Sequence, residues 1–427
     1  MATTAAGTSI ASQPGASIAS NKGFCHRISH FFHPTSAQEQ EESERRLLSR
    51  LPFFSSSSSP SSDTNTSTTV ARVGPVEIGQ GQYINTLWID QETGVIPSVP
   101  PNDTKSTLVM THGYGAGLGH FYRNYLSLSS VPGWRIYSMD WLGMGRSSRP
   151  KFRIDGRTDE ERVQQTEDFF VDSLEKWRAK LGIERMTLLG HSMGGYLSVA
   201  YALRFPERVE KLILVSPVGV PSSRKDPKAL SGRVSLDPNP DSSITQDSPS
   251  PSPKYSPFIR GAAWLATKAW EASYTPMNLI RAAGPMGRSL LGPYINRRME
   301  CLSEVDKQAM WDYTYHIFAA QASSESALSH LLLPGAYARM PLAPRIPSLT
   351  MPTTFVYGES DWMDDTHASR LIPLMSVPAN IVIIPGGGHN MFLEAPVAFD
   401  DCITKEMLKV SASKEKRESS SKTAPSS

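Results

Sequence analysis

The chain has 427 residues, enough for one large α/β domain with insertions or for two smaller ones. Its 43 Lys and Arg against 41 Asp and Glu leave a formal charge of +2 with no basic block, so nothing calls for nucleic acid, and small or lipidic partners are expected instead. Cys25, Cys301 and Cys402 are odd in number, far apart and without metal-ligand spacing; this argues against a disulfide framework, and neither a metal nor a cofactor is expected.

Residues 1–75 are rich in Ala, Ser and Thr, carry Lys22 and Arg27, and have no acidic residue before Glu39, the pattern of a mitochondrial leader or a disordered tail. Phe24, Ile28, Phe31 and Phe32, and then Leu47, Leu48, Leu51, Phe53 and Phe54, are apolar clusters that fit import, membrane contact or packing on the fold. Ser55 to Thr69 reads as a linker, because so few apolar side chains do not offset the entropy of ordering.

A first core segment is expected over 76–220. Residues 76–78 and 83–89, joined by a Gly-containing turn, form an antiparallel edge hairpin. Short apolar strands then follow at 108–111, 135–139, 186–189 and 211–215, alternating with helices, a pattern that demands a mostly parallel sheet covered on both faces. Thr158-Asp159-Glu160-Glu161 is a capping box, and Val163, Phe170, Leu174, Trp177 and Leu181 recur near the helical period before Gly182. Over 221–347 the alternation stops: 224–255 is a Pro/Ser-rich loop, and 258–272 and 304–333 have helical character, so the segment reads as an inserted helical cap. Strands at 353–357 and 380–384 belong to a second core segment over 348–410, and 411–427 reads as a disordered tail. No uninterrupted apolar stretch reaches the ~18 residues of a spanning helix, so membrane contact is expected to be peripheral.

The chemistry starts at Gly190-His191-Ser192-Met193-Gly194, which follows a strand and opens a helix. A nucleophile on so tight a turn needs small neighbours, because flanking side chains would meet the adjacent strand and helix. A serine hydroxyl also needs a base and an acid that orients it. His389 follows the last strand and a loop of three glycines; Asp361 follows the strand before it, and the order Ser192, Asp361, His389 is that of this kind of site. Asp364 and Asp365 compete with Asp361 but sit farther from the strand end, while His191 reads as structural and His120, His316, His330 and His367 lack the loop context. After the first parallel strand, His112-Gly113-Tyr114-Gly115-Ala116-Gly117 places the Tyr114 amide, with that of Met193, to stabilise an oxyanion. Asp140 to Ser148, at another strand end, is expected to shape the pocket floor.

These runs, together with Arg146-Ser147-Ser148-Arg149-Pro150 and Asp361-Trp362-Met363-Asp364, resemble the α/β-hydrolase branch of fungal mitochondrial cardiolipin-specific deacylases. That branch includes relatives acting as lysophosphatidate acyltransferases or lipase co-activators. The resemblance implies an α/β-hydrolase fold and a serine-dependent acyl hydrolase of phospholipid, cardiolipin in its narrowest form, with acyl-CoA-dependent transfer or non-enzymatic co-activation as alternatives. It also implies a place peripheral to the mitochondrial inner membrane, the cytoplasm or lipid droplet surface being the alternative. Where that branch often carries His-x-x-x-x-Asp, this chain has His389 followed by Glu394, which bears on transfer to a lysolipid more than on hydrolysis. In the cap, Phe258, Trp264, Leu265, Trp270 and Tyr274 fit an acyl tunnel, a bilayer contact or plain packing.

Overall fold

The computed structural model describes residues 35–54, 69–90, 105–221, 257–334 and 336–422. Eight strands form one sheet: β1 (Val70–Gly79), β2 (Gln82–Asp90), β3 (Ser106–Thr111), β4 (Trp134–Met139), β5 (Met186–His191), β6 (Val209–Val215), β7 (Thr353–Gly358) and β8 (Ala379–Ile384), in the spatial order β1-β2-β4-β3-β5-β6-β7-β8. The β1–β2 hairpin pairs antiparallel at one edge and β2 pairs antiparallel with β4, while every remaining pairing is parallel. Strands β3, β4, β5 and β7 are buried throughout, as a doubly covered parallel sheet requires. The two-residue strand period divides the core: Val109 faces one hydrophobic cluster, whereas Leu108 and Met110 face the other.

Two helices flank the strand that leads to the serine turn. In α2 (Asp159–Lys180) the Thr158 hydroxyl accepts from the Glu161 amide at 3.1 Å, and the Glu161 carboxylate accepts from the Thr158 amide at 3.3 Å. Phe170, Leu174 and Trp177 are wholly buried along its inner face. Helix α3 (Met193–Arg204) follows β5 without a spacer beyond Ser192. Between β6 and β7 the strand alternation stops, and the chain forms α4 (Pro257–Glu271), α5 (Pro276–Ala282), α6 (Gly287–Arg298) and α7 (Glu304–Ala319) before β7 resumes the sheet. Among the described residues no helix is long and apolar enough to cross a membrane.

Two stretches expected to be disordered are ordered. Within 1–75, α1 (Ala37–Leu48) forms behind a capping box of Ser36 and Glu39 and packs against α7, with Leu47, Leu48 and Leu51 buried and Arg46 paired to Asp312 at 3.2 Å. Strand β1 also begins at Val70, ahead of the expected boundary at 76. At the other end, α8 (Pro396–Lys422) runs through Ser411 instead of stopping before it. The reason is tertiary: Ser411 Oγ accepts from Trp134 Nε1 at 3.0 Å, and Lys414 reaches Ser106 Oγ at 2.9 Å and Glu210 at 3.1 Å. The leader region up to 34, with Phe24, Ile28, Phe31 and Phe32, the linker residues 55–68 and the Pro/Ser-rich loop 224–255 lie outside the described residues.

Candidate active site

The strand order reverses around β3, with β4 on one side and β5 on the other. The loops leaving the carboxyl ends of these parallel strands therefore diverge, and a crevice opens between them. Ser192 sits at this point with φ +55° and ψ −116°, a conformation that costs an L-residue energy and persists only where the surroundings enforce it. Enforcement comes from backbone on both sides. A Cβ on Gly194 would lie 2.6 Å from the His112 carbonyl, and one on Gly190 would collide with the Gly194 carbonyl and Ser198 Oγ. The Ser192 amide donates to the Val215 carbonyl at 2.9 Å, which ties the turn to β6.

Three side chains from three different loops join into one hydrogen-bonded chain. Ser192 Oγ lies 3.2 Å from His389 Nε2, and His389 Nδ1 lies 3.1 Å from Asp361 Oδ1. With Nδ1 facing a carboxylate, the neutral imidazole carries its proton there, which leaves Nε2 as an acceptor for the serine hydroxyl. Burial acts to raise the Asp361 carboxyl; hydrogen bonding and attraction to His389, a hydrogen bond from Ser216 and the Met363 amide outweigh it and hold the group below its ordinary value. Asp361 thus stays ionised while enclosed. Asp364 is occupied elsewhere, accepting from the Thr366 amide at 2.9 Å and lying 3.6 Å from His367 Nε2, while Asp365 stands at the N-cap position of the same short helix without a side-chain bond to it.

The remaining histidines separate cleanly. His120 Nδ1 accepts from the Gly117 amide at 3.2 Å, and burial pushes its pKa down to about 3. His316 meets Thr35, and His330 meets Arg162. His191 is more than a filler of the turn: its Nε2 donates to the His389 carbonyl at 2.9 Å, and burial drives its own pKa well below the usual histidine range, so it holds the loop of His389 as a neutral donor. Trp362 stacks obliquely on His389, with ring centroids 5.0 Å apart.

Met193 is the first residue of α3, so its amide has no carbonyl one turn back to donate to. The Gly113–Tyr114 peptide passes beside the serine, since a Cβ on Gly113 would come within 2.9 Å of Ser192 Cβ. Tyr114 lines the same crevice as Ser192, and the Met193 amide immediately follows Ser192 in the chain. The Asp140 run does not line the crevice. Asp140, fully buried, accepts from the Leu118 amide at 2.7 Å, the Arg146 amide at 2.8 Å and Asn85 Nδ2 at 2.8 Å, and so braces the loop that carries Tyr114.

Sequence reasoning missed Ser216. This fully buried residue, at φ +44°, donates from Oγ to Asp361 Oδ2. Its one sequence signal is position, immediately after a parallel strand, where functional groups of such sheets collect. Glu394 is equally informative. Its carboxylate accepts from the Gly388 amide and so faces the backbone of the His389 loop.

The crevice is a cavity of about 510 Å³ that Ser192 and His389 share with Tyr114, Trp270, Tyr294, Arg298 and Trp362. Of the large apolar cap side chains, Trp270 lines it and donates from Nε1 to the Leu332 carbonyl at 3.0 Å, Trp264, Leu265 and Tyr274 are exposed on the cap surface, and the Phe258 side chain lies outside those described. Chemically, a buried alcohol and an imidazole oriented by an ionised carboxylate, at the wall of a largely apolar cavity, can form and break an acyl ester.

A family profile described as alpha/beta hydrolase fold matches residues 106–396. A probable 1-acylglycerol-3-phosphate O-acyltransferase of Oryza sativa subsp. japonica is 35% identical over 328 residues, covering 75% of this chain and 69% of its own. A (lyso)-N-acylphosphatidylethanolamine lipase of Mus musculus is 31% identical over 309 residues, covering 70% and 79%. Among solved structures, naproxen esterase of Bacillus subtilis superposes with a TM-score of 0.51 at 14% identity, covering 86% of this chain and 97% of its own, a likeness of fold.

Proposed function

The chain belongs to the α/β-hydrolase family, and from that premise we propose that it is a serine-dependent acyl hydrolase acting on phospholipid. One observation carries the reading: Ser192, His389 and Asp361 lie in hydrogen-bonding sequence, and Ser192 and His389 stand in the wall of a largely apolar cavity. In this reading Ser192 Oγ attacks the ester carbonyl as His389 Nε2 takes its proton. The amides of Tyr114 and Met193 receive the oxyanion, and the proton passes to the departing lysolipid alcohol. Water then repeats the sequence on the acyl-enzyme and releases fatty acid. Asp361, held ionised, keeps the imidazole in the required tautomer and balances its transient charge.

The names of the relatives support a lipid acyl ester and favour a second reading, transfer of the acyl group to a lysophospholipid, because several are named 1-acylglycerol-3-phosphate O-acyltransferases. Cardiolipin as substrate, and a place peripheral to the mitochondrial inner membrane, belong to the proposal on the resemblance of the motifs. Incubating the protein with phospholipid, with and without labelled acyl-CoA and lysolipid, separates the two readings: free fatty acid supports hydrolysis and a labelled diacyl product supports transfer. Ser192→Ala is expected to abolish turnover, by on the order of a millionfold in kcat, and to prevent labelling by a fluorophosphonate. Wild-type hydrolysis by that variant would sink the serine mechanism.

A further inference from the structure

Among the described residues, Arg298 is the one permanently charged side chain in the wall of the cavity that holds Ser192. It is the last residue of α6, one helical turn after Tyr294, so both side chains lie on the helix face turned to the crevice. The rest of the described wall offers it no counter-charge. Among the described residues the lining contains no carboxylate, and burial pushes two of its three histidines, His120 and His191, toward the neutral form. Among the described residues Arg298 has no ion pair, in contrast to Arg281, which sits 2.5 Å from Glu325, and Arg288, which pairs with Asp312. Arg297, one residue earlier in the chain, is exposed and outside the cavity wall.

A guanidinium in a largely apolar cavity wall without a counter-charge gains a partner when an anion enters. Its planar fork matches two oxygens of a phosphate, and the Tyr294 hydroxyl one turn back is a further donor. We propose that Arg298 is the specificity-determining anion anchor of the cavity, binding the phosphate of a glycerophospholipid while its acyl ester lies at Ser192. This rests on ester turnover at Ser192. The apolar wall of Trp270, Leu328, Leu332 and Met299 then takes the acyl chain, and the substrate is selected by an amphipathic pair of contacts, an apolar chain in the cleft and an anion at the end of α6.

The test compares two esters with the same acyl chain that differ by one phosphate, a monoacylglycerol and the matching lysophosphatidate, using the full chain in detergent micelles. Arg298→Gln is expected to lower the lysophosphatidate-to-monoacylglycerol ratio of kcat/KM by about tenfold or more, mostly through KM, and Arg298→Lys to restore part of it. Arg297→Gln is expected to leave the ratio as it is. A ratio unchanged in Arg298→Gln overturns the anchor while leaving serine catalysis standing. Binding gives an arm independent of turnover: dodecyl phosphate titrated into the Ser192→Ala protein by calorimetry is expected to bind, and to bind at least about tenfold more weakly when Arg298→Gln is added. Binding with no turnover of either ester supports the anchor and sinks the hydrolase reading. Equal binding with and without Arg298 overturns the anchor. Inorganic phosphate is the control for the source of the anion; if it binds as tightly as dodecyl phosphate, the site recognises free phosphate and the lipid assignment falls.

Discussion

Ser216 offers the sharpest perturbation of the site, because it touches neither the nucleophile nor the base. Its hydroxyl donates to the far oxygen of Asp361, and both groups are enclosed, so water does not replace the bond when it is removed. A hydrogen bond to a charged group contributes about 1.5–3 kcal/mol, but Asp361 keeps His389 and the Met363 amide. Part of the loss is therefore absorbed, and Ser216→Ala is expected to lower kcat/KM for ester hydrolysis about tenfold, equivalent to about 1.4 kcal/mol. The backbone adds an internal control. At φ +44° a side chain carries about 1 kcal/mol of strain that glycine relieves, so Ser216→Gly loses the same hydroxyl without keeping the strain. Equal losses of activity in the two variants, with the glycine form more stable than the alanine form, assign the effect to the hydroxyl. The pH dependence has a definite sign. The Asp361 carboxyl is held below its unfolded value of 3.8, so its ionised contacts stabilise the fold above that pH and the contribution is lost as pH falls through the lower folded value. Removing Ser216 raises the folded value, so the stability gap to wild type should be full at pH 7 and narrow below about pH 4 in urea titrations. Activity within twofold of wild type in both variants would refute the reasoning.

Three further outcomes follow from the packing. Gly190→Ala places a methyl group against the Gly194 carbonyl and Ser198 Oγ, neither free to retreat, and is expected to cost about 3 kcal/mol or more, read as a lowered thermal midpoint or insoluble protein. Leu47→Ala in α1 removes a side chain with 0% exposure and is expected to cost about 2–5 kcal/mol by urea denaturation; a change below about 0.5 kcal/mol would mean that α1 is not docked in solution. Glu394→Ala leaves the Gly388 amide without its acceptor and is expected to lower kcat about tenfold by loosening His389, while Glu394→Gln, which keeps an acceptor oxygen, retains most activity; equal damage from both would show that the charge and not the brace matters.

What the sequence disclosed divides along physical lines. The strands and the serine turn were legible because they rest on local rules: apolar runs of strand length, a capping box at Thr158 to Glu161, and small residues where backbone must pass close. The choice of Asp361 over Asp364 was not settled by spacing, since both follow β7; the geometry decides it by giving Asp364 to Thr366 and His367. Ser216 was hidden because its partner stands 145 residues away and the Val-Ser-Pro context carries no motif. Helix α1 is a different kind of miss. Its start signal, Ser36 with Glu39 three residues on, and its buried leucines stand in the sequence, but the Ser-rich composition around them dominated the reading. The end of α8 could not be anticipated locally, since Lys414 finds its partners on strands more than 200 residues earlier, at Ser106 and Glu210.

Glu394 was the residue on which the sequence hung the choice between water and lysolipid, and its placement moves that choice elsewhere. A carboxylate bound to the Gly388 amide acts on the position of His389, which in the proposed reading would serve both reactions alike, through one acyl-enzyme and one base. The partition must then depend on which hydroxyl reaches His389 Nε2 first. In the proposed reading the lysolipid released in the first half-reaction still carries its phosphate, and Arg298 holds that phosphate in the same cavity as the acylated Ser192. Tight retention favours return of the acyl group, and rapid departure leaves the site to water. Weakening Arg298 should therefore not only lower the preference for an anionic substrate but also raise the share of acyl-enzyme that ends as fatty acid, an outcome read directly from product ratios with labelled acyl donor and added lysophosphatidate.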